Sequence, residues 1–158
     1  MKAEPLEPTI SVPLYFEDLE VGMRWVSLSR TITEADVAVF TGLAGEVERA
    51  NGRGHAVVPP LLVLSIVTGL RQQLGVFYGT LHAGVELRAW RLHEPVPVGG
   101  TVTSISTVQA LRATSGGRLG VVEQGIEVVD QDGQLVQSGE FVTLFRRRRD
   151  VDTSGSLQ

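Results

Sequence analysis

Residues 45–74 read GEVERANGRGHAVVPPLLVLSIVTGLRQQL, and this stretch decides the fold. Its first part is polar and rich in Gly, Arg and Asn, whereas the part after Pro59 and Pro60 is the most apolar run in the chain. Proline fits the first turn of a helix, where its missing N–H costs nothing, so the spacing predicts a helix over 60–74. No charged side chain interrupts that helix before Arg71, which predicts that other elements enclose it. The stretch therefore predicts a loop that carries polar groups to the mouth of a buried helix.

The segments on both sides of this stretch predict one short helix and several long strands. Thr33 is a typical N-cap, Glu34 and Asp36 suit the first helical turn, and the helix is expected to end at Gly42. After residue 77 the sequence alternates apolar and polar residues between tight, glycine-containing turns, as antiparallel strands do. The predicted strands are 23–31, 83–92, 101–111, 118–130 and 134–147. Such a sheet can wrap around the buried helix, so the predicted class is α+β, a long antiparallel sheet around one central helix in the hot-dog arrangement.

Length and composition predict one ordinary domain. A chain of 158 residues is long enough to bury a core, and we expect a single domain over 14–149, a flexible arm over 1–13 and a frayed tail over 150–158. The net charge of −4 gives no sign of a nucleic-acid partner or of an anionic membrane surface. The most apolar window, 56–70, is shorter than the roughly 18 residues of a membrane span, and the chain opens without a signal-peptide pattern. We therefore expect a cytoplasmic protein.

The chain offers few residues for metal or thiol chemistry. It contains no cysteine, which excludes disulfides and thiolate sites. Its three histidines, His55, His82 and His93, do not form a paired metal-binding motif, so we expect no metal site. His82 is expected near a subunit interface, and His93 is expected to be exposed in a turn.

Five segments, in this order, resemble one known family. They are FEDLEVGM (16–23), TITEADVAVFTGLAGE (31–46), LLVLSIVTGL (61–70), PVPVGGTV (95–102) and VVDQDGQLVQSGE (128–140). The chain resembles the MaoC-like dehydratases, relatives of the (R)-specific enoyl-CoA hydratases, over roughly residues 15–148. The resemblance implies a hot-dog fold and an acyl-thioester substrate.

The resemblance also implies a catalytic pattern that this chain does not keep. In the family an Asp and a His five residues later, within GD-x-N-P-x-H, place a water molecule and move its protons. A backbone N–H at a helix start polarises the thioester carbonyl. The matching positions hold Glu46, Asn51 and Pro60. Asn51 cannot titrate and Pro60 has no N–H to donate, so the hydratase motif is degenerate. The PPLL opening is more similar to non-catalytic hot-dog halves that pair with a catalytic half.

Several other residues are candidates for the site, each beside a simpler alternative. His55 could meet Glu46 as a displaced acid/base pair, or be a solvated loop histidine. Ser65 could bind the thioester, or donate to the carbonyl four residues before it. Arg49 and Arg53 could contact the phosphates of coenzyme A or of a carrier-protein arm, or belong to a solvated loop.

Three functions remain open at this stage. The first is a hydratase or dehydratase of 2-enoyl thioesters in fatty acid metabolism, with Glu46 as base or water-orienting group and Asn51 or His55 assisting. The second is a non-catalytic hot-dog subunit or acyl-thioester-binding protein, and the third is a hot-dog thioesterase in which Glu46 activates water. No cofactor is expected, because coenzyme A or an acyl-carrier arm is part of the substrate. Exposed sheet edges predict a homodimer, with a heteromer containing a catalytic hot-dog subunit as the alternative.

Overall fold

The structure is a computed structural model that describes residues 13–45, 49–50, 54 and 56–148. After a 3₁₀ turn at Phe16–Asp18, its elements are β1 (Arg24–Val26), β2 (Arg30–Thr31), α1 (Glu34–Ala44), β3 (Arg49–Ala50), β4 (Ala56–Val57), α2 (Pro60–Gln73), β5 (Leu81–Leu92), β6 (Thr101–Ala113), β7 (Leu119–Asp130) and β8 (Leu135–Arg146). No helix within these ranges is long and apolar enough to cross a bilayer. The predicted arm and tail fall almost wholly outside the described residues, so the domain boundaries stay a prediction.

The main sheet is antiparallel and follows the order β1-β6-β7-β8-β5, with β2 also paired to β6. The long strands predicted after residue 77 are confirmed, and β6, β7 and β8 form a meander. The single strand predicted over 23–31 is wrong, because two short strands lie there. Between them, the Ser27 N–H donates to the Ser104 carbonyl at 2.8 Å, and the Ser104 N–H donates to the Ser27 hydroxyl at 2.9 Å, so a side chain takes one of the two bonds of the ladder at this point.

Helix α1 begins as predicted but ends later. The Thr33 hydroxyl accepts from the Asp36 N–H at 3.3 Å, and the Asp36 carboxylate accepts from the Thr33 N–H at 2.9 Å. The hydrogen bonds from Thr33 hold the pKa of Asp36 below its ordinary value. The predicted end at Gly42 is wrong. Gly42 keeps helical geometry, and Gly45, at a φ of 67°, adopts the left-handed conformation that ends the helix.

Helix α2 crosses one face of the sheet and supplies much of the core. The predicted helix is confirmed over Pro60–Gln73. Its buried apolar residues are Leu62, Val63, Ile66, Val67 and Leu70, and they pack with residues of β6, β7 and β8. The expectation that other elements enclose it on all sides is wrong. Leu61, Ser65 and Thr68 are exposed, because they share the face that points away from the sheet.

Strand β5 departs from simple alternation at Ala89, whose φ is 46°. Its pairing with β8 slips there, so that two residues of β5 face one residue of β8. The bulge turns Trp90 inward, where its ring stacks on Phe141 with centroids 5.6 Å apart. Gly139 makes room for this ring, since a Cβ at that position would lie 2.4 Å from Cε3 of Trp90. Ala89 is therefore left exposed at the bulge, and Trp90 packs against the core.

Candidate functional site

A cavity of about 250 Å³ lies at the N-terminal end of α2. Four segments wall it: β4 with the residue after it, the first turn of α2, the end of β5 with the turn that follows, and β8. The lining residues are Val57, Val58, Pro60, Val63, Leu92, His93, Glu94, Pro95, Val96 and Gln137. Seven of these are aliphatic or proline residues, and three carry polar side chains. The cavity therefore suits a small, mainly apolar group with a polar end.

Backbone hydrogen bonds join two of these walls. The Val58 N–H donates to the Val96 carbonyl at 2.9 Å, and the Val98 N–H donates to the Ala56 carbonyl at 3.0 Å. Both Val58 and Val96 are almost wholly buried. The segment that enters α2 is therefore fixed against the segment that leaves β5, although they are about 40 residues apart in the sequence.

Gln137 is the residue of β8 in the cavity wall, and it ties the sheet to the helix. Its side chain is buried, and Nε2 donates to the Pro60 carbonyl at 3.0 Å while Oε1 accepts from Trp90 Nε1 at 3.0 Å. Sequence reasoning missed this residue. Its position in the strand could have indicated it. Alternate residues of a strand share one face, so Gln137 lies on the same face of β8 as Phe141, four residues further along.

The start of α2 has fewer backbone N–H donors than most helices have. Pro59 is the N-cap and Pro60 is the first helical residue, so neither carries an N–H. The Leu62 and Val63 N–H groups both donate to the Pro59 carbonyl, at 3.0 and 3.3 Å. Leu61 is thus the first residue of the helix with an N–H, and no backbone carbonyl of the described residues accepts from it.

The site residues predicted from sequence are only partly described. Pro60 lines the cavity, and Arg49 opens β3, which pairs with β4. The Ser65 hydroxyl donates to the Leu61 carbonyl at 2.9 Å, the simpler of its two alternatives, and lies on the exposed face of α2. The remaining four candidates lie outside the described residues, and their roles stay predictions: Glu46, Asn51, Arg53 and His55.

The opposite end of α2 holds a buried arginine that sequence reasoning placed at the start of a charged face. The side chain of Arg71 is 7% exposed. Its Nε donates to Ser106 Oγ at 3.0 Å, its Nη2 donates to Gln124 Oε1, and the guanidinium lies 4.4 Å from the ring centroid of Phe141. No carboxylate of the described residues forms an ion pair with it. Burial lowers the pKa of Arg71 to about 10.

A second groove, of about 520 Å³, lies on the other face of the sheet. Ser106 faces Arg71 beneath α2, so its neighbour Thr107, which lines this groove, faces away from the helix. The groove is open and strongly polar, with Glu127 and Glu140 among its walls. No group of three or more potential metal ligands occurs in the described part of the chain. The cavity at the start of α2 is the better candidate site, because its walls are mainly apolar and because Pro60, predicted at the mouth of the helix, lines it.

Solved structures share this architecture. One, a monoamine oxidase regulatory protein from an Archaeoglobus species, is 26% identical with a TM-score of 0.78, and the match covers 87% of this chain and 97% of that one. Another, from Chloroflexus aurantiacus J-10-fl and described as a MaoC domain dehydratase, is 26% identical with a TM-score of 0.78, covering 92% of this chain and 44% of that one. This chain has the hot-dog fold of the MaoC-like proteins.

A third structure supports the fold alone. A conserved hypothetical protein from Mycobacterium tuberculosis with a double hot-dog fold is 22% identical with a TM-score of 0.77, and the match covers 87% of this chain and 46% of that one. The chain thus spans about half the length of two of these three structures. No protein-family model matches the chain, and no curated protein matches it significantly. The predicted α+β hot-dog class and the resemblance to MaoC-like proteins are confirmed.

Proposed function

We propose that this chain is a hydratase or dehydratase that adds water to, or removes it from, a 2-enoyl thioester. The observation that carries the proposal is the cavity at the start of α2, walled mainly by apolar side chains. Glu46 precedes this helix in the sequence. An acyl group of a few carbons matches this volume and this lining. The likeness to a protein described as a MaoC domain dehydratase supports the same reaction class.

In this proposal each group has one task. The Glu46 carboxylate orients water and takes its proton as the oxygen bonds to the β-carbon of the acyl group. Asn51 holds that water, and His55 is the second proton-transfer group suggested by the sequence. Because the two prolines at the helix start have no N–H, the Leu61 N–H is the first donor of α2, and it polarises the thioester carbonyl. No cofactor takes part, and coenzyme A or a carrier arm near Arg49 and Arg53 belongs to the substrate.

A second candidate is an acyl-thioester-binding subunit without turnover. Two features favour it: Asn51 cannot exchange a proton, and the first two positions at the start of α2 have no N–H. Such a subunit would bind the acyl group in the same cavity and pair with a catalytic hot-dog partner.

The purified protein, incubated with crotonyl-CoA, separates these functions. Enoyl absorbance and free thiol are followed together in the same sample. Loss of enoyl absorbance without thiol release is the expected result. Release of thiol would instead indicate a thioesterase. Unchanged absorbance, together with a higher melting temperature in the presence of crotonyl-CoA, would indicate the binding subunit and contradict the hydratase proposal.

We also propose a homodimer formed through β5, and we retain a cytoplasmic location as a prediction. Strand β5 has 12 residues and, among the described strands, pairs only with β8. Its exposed apolar side chains include Val85 and Leu87. An edge of this kind is covered when two sheets pair. Light scattering should give twice the chain mass, and Leu87→Asp should give the single-chain mass. A wild-type monomer that forms a complex only with another hot-dog protein would favour the heteromer.

A further inference from the structure

A series of hydrogen bonds runs from β5 through β8 to the first turn of α2. Trp90 Nε1 donates to Gln137 Oε1 at 3.0 Å, and Gln137 Nε2 donates to the Pro60 carbonyl at 3.0 Å. That carbonyl belongs to the same peptide group as the Leu61 N–H, the first donor of the helix. The two side chains therefore act on the peptide group that carries the donor of the function proposed above.

The amide of Gln137 occupies a costly place. Its side chain is 3% exposed, and a buried amide lowers stability unless its polar atoms are hydrogen bonded. Only one orientation of this amide satisfies both neighbours, because the Trp90 indole N–H needs an acceptor and the Pro60 carbonyl needs a donor. The indole thus fixes the direction in which the amide points. The amide in turn fixes the plane of the peptide group between Pro60 and Leu61.

The backbone of β5 is strained at the residue before this indole. Ala89 has a φ of 46°, a conformation that residues with a side chain adopt rarely, and such strain is common at functional sites. The bulge there turns Trp90 onto Phe141, and Gly139 makes room for its ring. A phenylalanine would also stack on Phe141, so packing alone does not require an indole. The indole differs from a phenyl ring in having an N–H.

The donors of this series point in one direction, from the indole to the amide and from the amide to the peptide group. Hydrogen bonds in series polarise one another. A hydrogen bond to the Pro60 carbonyl draws electron density toward its oxygen, so the Leu61 N–H of the same peptide group becomes a stronger donor. This matters here because Pro59 and Pro60 leave the start of the helix with fewer donors.

We propose that Trp90 and Gln137 are positioning residues for the Leu61 N–H, and this inference rests on the acyl-thioester site proposed above. Trp90 orients Gln137, and Gln137 fixes and polarises the peptide group between Pro60 and Leu61. The Leu61 N–H then donates to the thioester carbonyl oxygen. As water adds to the β-carbon, negative charge develops on that oxygen, and a stronger, fixed donor stabilises it.

The test removes the indole N–H and keeps an aromatic ring, with Trp90→Phe. Trp25→Phe is the matched control, because it makes the same change at the other tryptophan, which is buried in a separate cluster and does not line the cavity. Gln137→Met removes both hydrogen bonds and covers a folding failure of Trp90→Phe. The melting temperature is recorded for each protein.

Two readouts are compared. The first is kcat and KM for hydration of crotonyl-CoA. The second is the infrared stretching frequency of the isotope-labelled thioester carbonyl of bound butyryl-CoA. This saturated thioester has no double bond to hydrate, so it stays intact on the protein. A frequency that falls on binding reports a polarised carbonyl, which a change in packing alone would not alter.

The carbonyl frequency should fall when butyryl-CoA binds the wild type, and it should fall less in Trp90→Phe and Gln137→Met. Trp25→Phe should match the wild type. For Trp90→Phe, kcat should fall by about 10-fold with a smaller change in KM, since loss of a whole oxyanion donor costs about 10²–10³-fold.

Equal carbonyl frequencies in the wild type and Trp90→Phe would overturn the positioning role, and the hydratase function would stand if the wild type still hydrates crotonyl-CoA. Equal losses of kcat in Trp90→Phe and Trp25→Phe, or unfolding of both Trp90→Phe and Gln137→Met, would leave Trp90 and Gln137 a role in packing alone and also overturn it. A wild type that lowers the butyryl-CoA frequency through Trp90 but does not hydrate crotonyl-CoA would support the positioning role and contradict the hydratase function.

Discussion

The two ends of α2 meet very different surroundings. At the C-terminal end, Arg71 lies buried against the ring of Phe141 and hydrogen bonds to Ser106, and its environment is filled. At the N-terminal end, Pro60 lines a cavity of about 250 Å³ whose walls come from four separate segments. The filled end places a charged group in the core, whereas the open end places apolar walls next to a few polar groups.

The two ends of this helix therefore have different roles, one in stability and the other in binding or turnover. A side chain that fills its space contributes to the free energy of unfolding, and its removal leaves a cavity and unpaired hydrogen-bonding groups. A space lined by apolar groups and a few polar groups can receive a ligand instead. We therefore expect substitutions at the filled end to change stability, and substitutions at the open end to change binding or turnover.

The largest expected effect is at the open end. Glu46→Gln removes the carboxylate that takes the proton of water, so kcat for crotonyl-CoA should fall by about 10²–10⁴-fold. The melting temperature should change little. Glu48→Gln is the matched control, because it makes the same change two residues away in the same loop. Equal activity of the two variants would remove Glu46 from the reaction.

At the filled end, Arg71→Ala should lower the free energy of unfolding by about 2–4 kcal/mol, since it leaves a cavity and removes the partner of Ser106 and Gln124. Urea unfolding measures this value. Arg118→Ala, at an exposed position, should change it by less than about 0.5 kcal/mol. Similar losses in the free energy of unfolding for both variants would show that the buried guanidinium does not stabilise the core.

Gln137 connects the open end to the sheet, so its replacement tests stability and ligand binding together. Gln137→Met keeps the volume but leaves the Pro60 carbonyl and the Trp90 indole without their partner, which should cost about 1–3 kcal/mol. The variant should also bind crotonyl-CoA more weakly, as measured by calorimetry. Gln134→Met, at an exposed position, is the control. Unchanged affinity in Gln137→Met would mean that these hydrogen bonds do not shape the site.

The smallest effect is a pH dependence of stability at the filled end. Burial lowers the pKa of Arg71 to about 10, so from that pH up to the ordinary pKa of arginine the unfolded chain binds more protons than the folded one. The contribution of Arg71 to the free energy of unfolding therefore rises with pH across that window. From pH 8 to 11, the free energy of unfolding of the wild type should rise by about 1 kcal/mol relative to that of Arg71→Met. A difference that is constant with pH would show that the buried guanidinium keeps its proton over this range and would contradict the lowered pKa.

Much of the fold could be predicted because its signals are local. The prolines before the apolar run fix the start of α2, and Thr33 fixes the start of α1. Turns such as 130–133 mark the strand ends. The features that could not be predicted depend on distant partners. Trp90 points inward because Gly139, about 50 residues later, has no side chain, and this contact leaves no local pattern.

The candidate site was predictable only in part for the same reason. Pro60 was expected at the mouth of a helix, and it lines the cavity there. His93 was expected to be an exposed turn residue, and it is exposed. Its place beside Pro60 results from the pairing of Val58 with Val96, which no spacing in the sequence reveals. Arg71 is the first charged residue after the apolar run, and its burial could not be predicted because its aromatic partner Phe141 lies 70 residues away.

The central claim is that the acyl group of a thioester binds at the open end of α2. A crystal structure of the protein with bound crotonyl-CoA tests it most directly. The account predicts density for the acyl group inside the cavity, between Pro60 and the turn at His93, with the thioester carbonyl oxygen within hydrogen-bond distance of the Leu61 N–H. Density for the acyl group in the outer groove beside Glu127 and Glu140, or at any place away from α2, would contradict it.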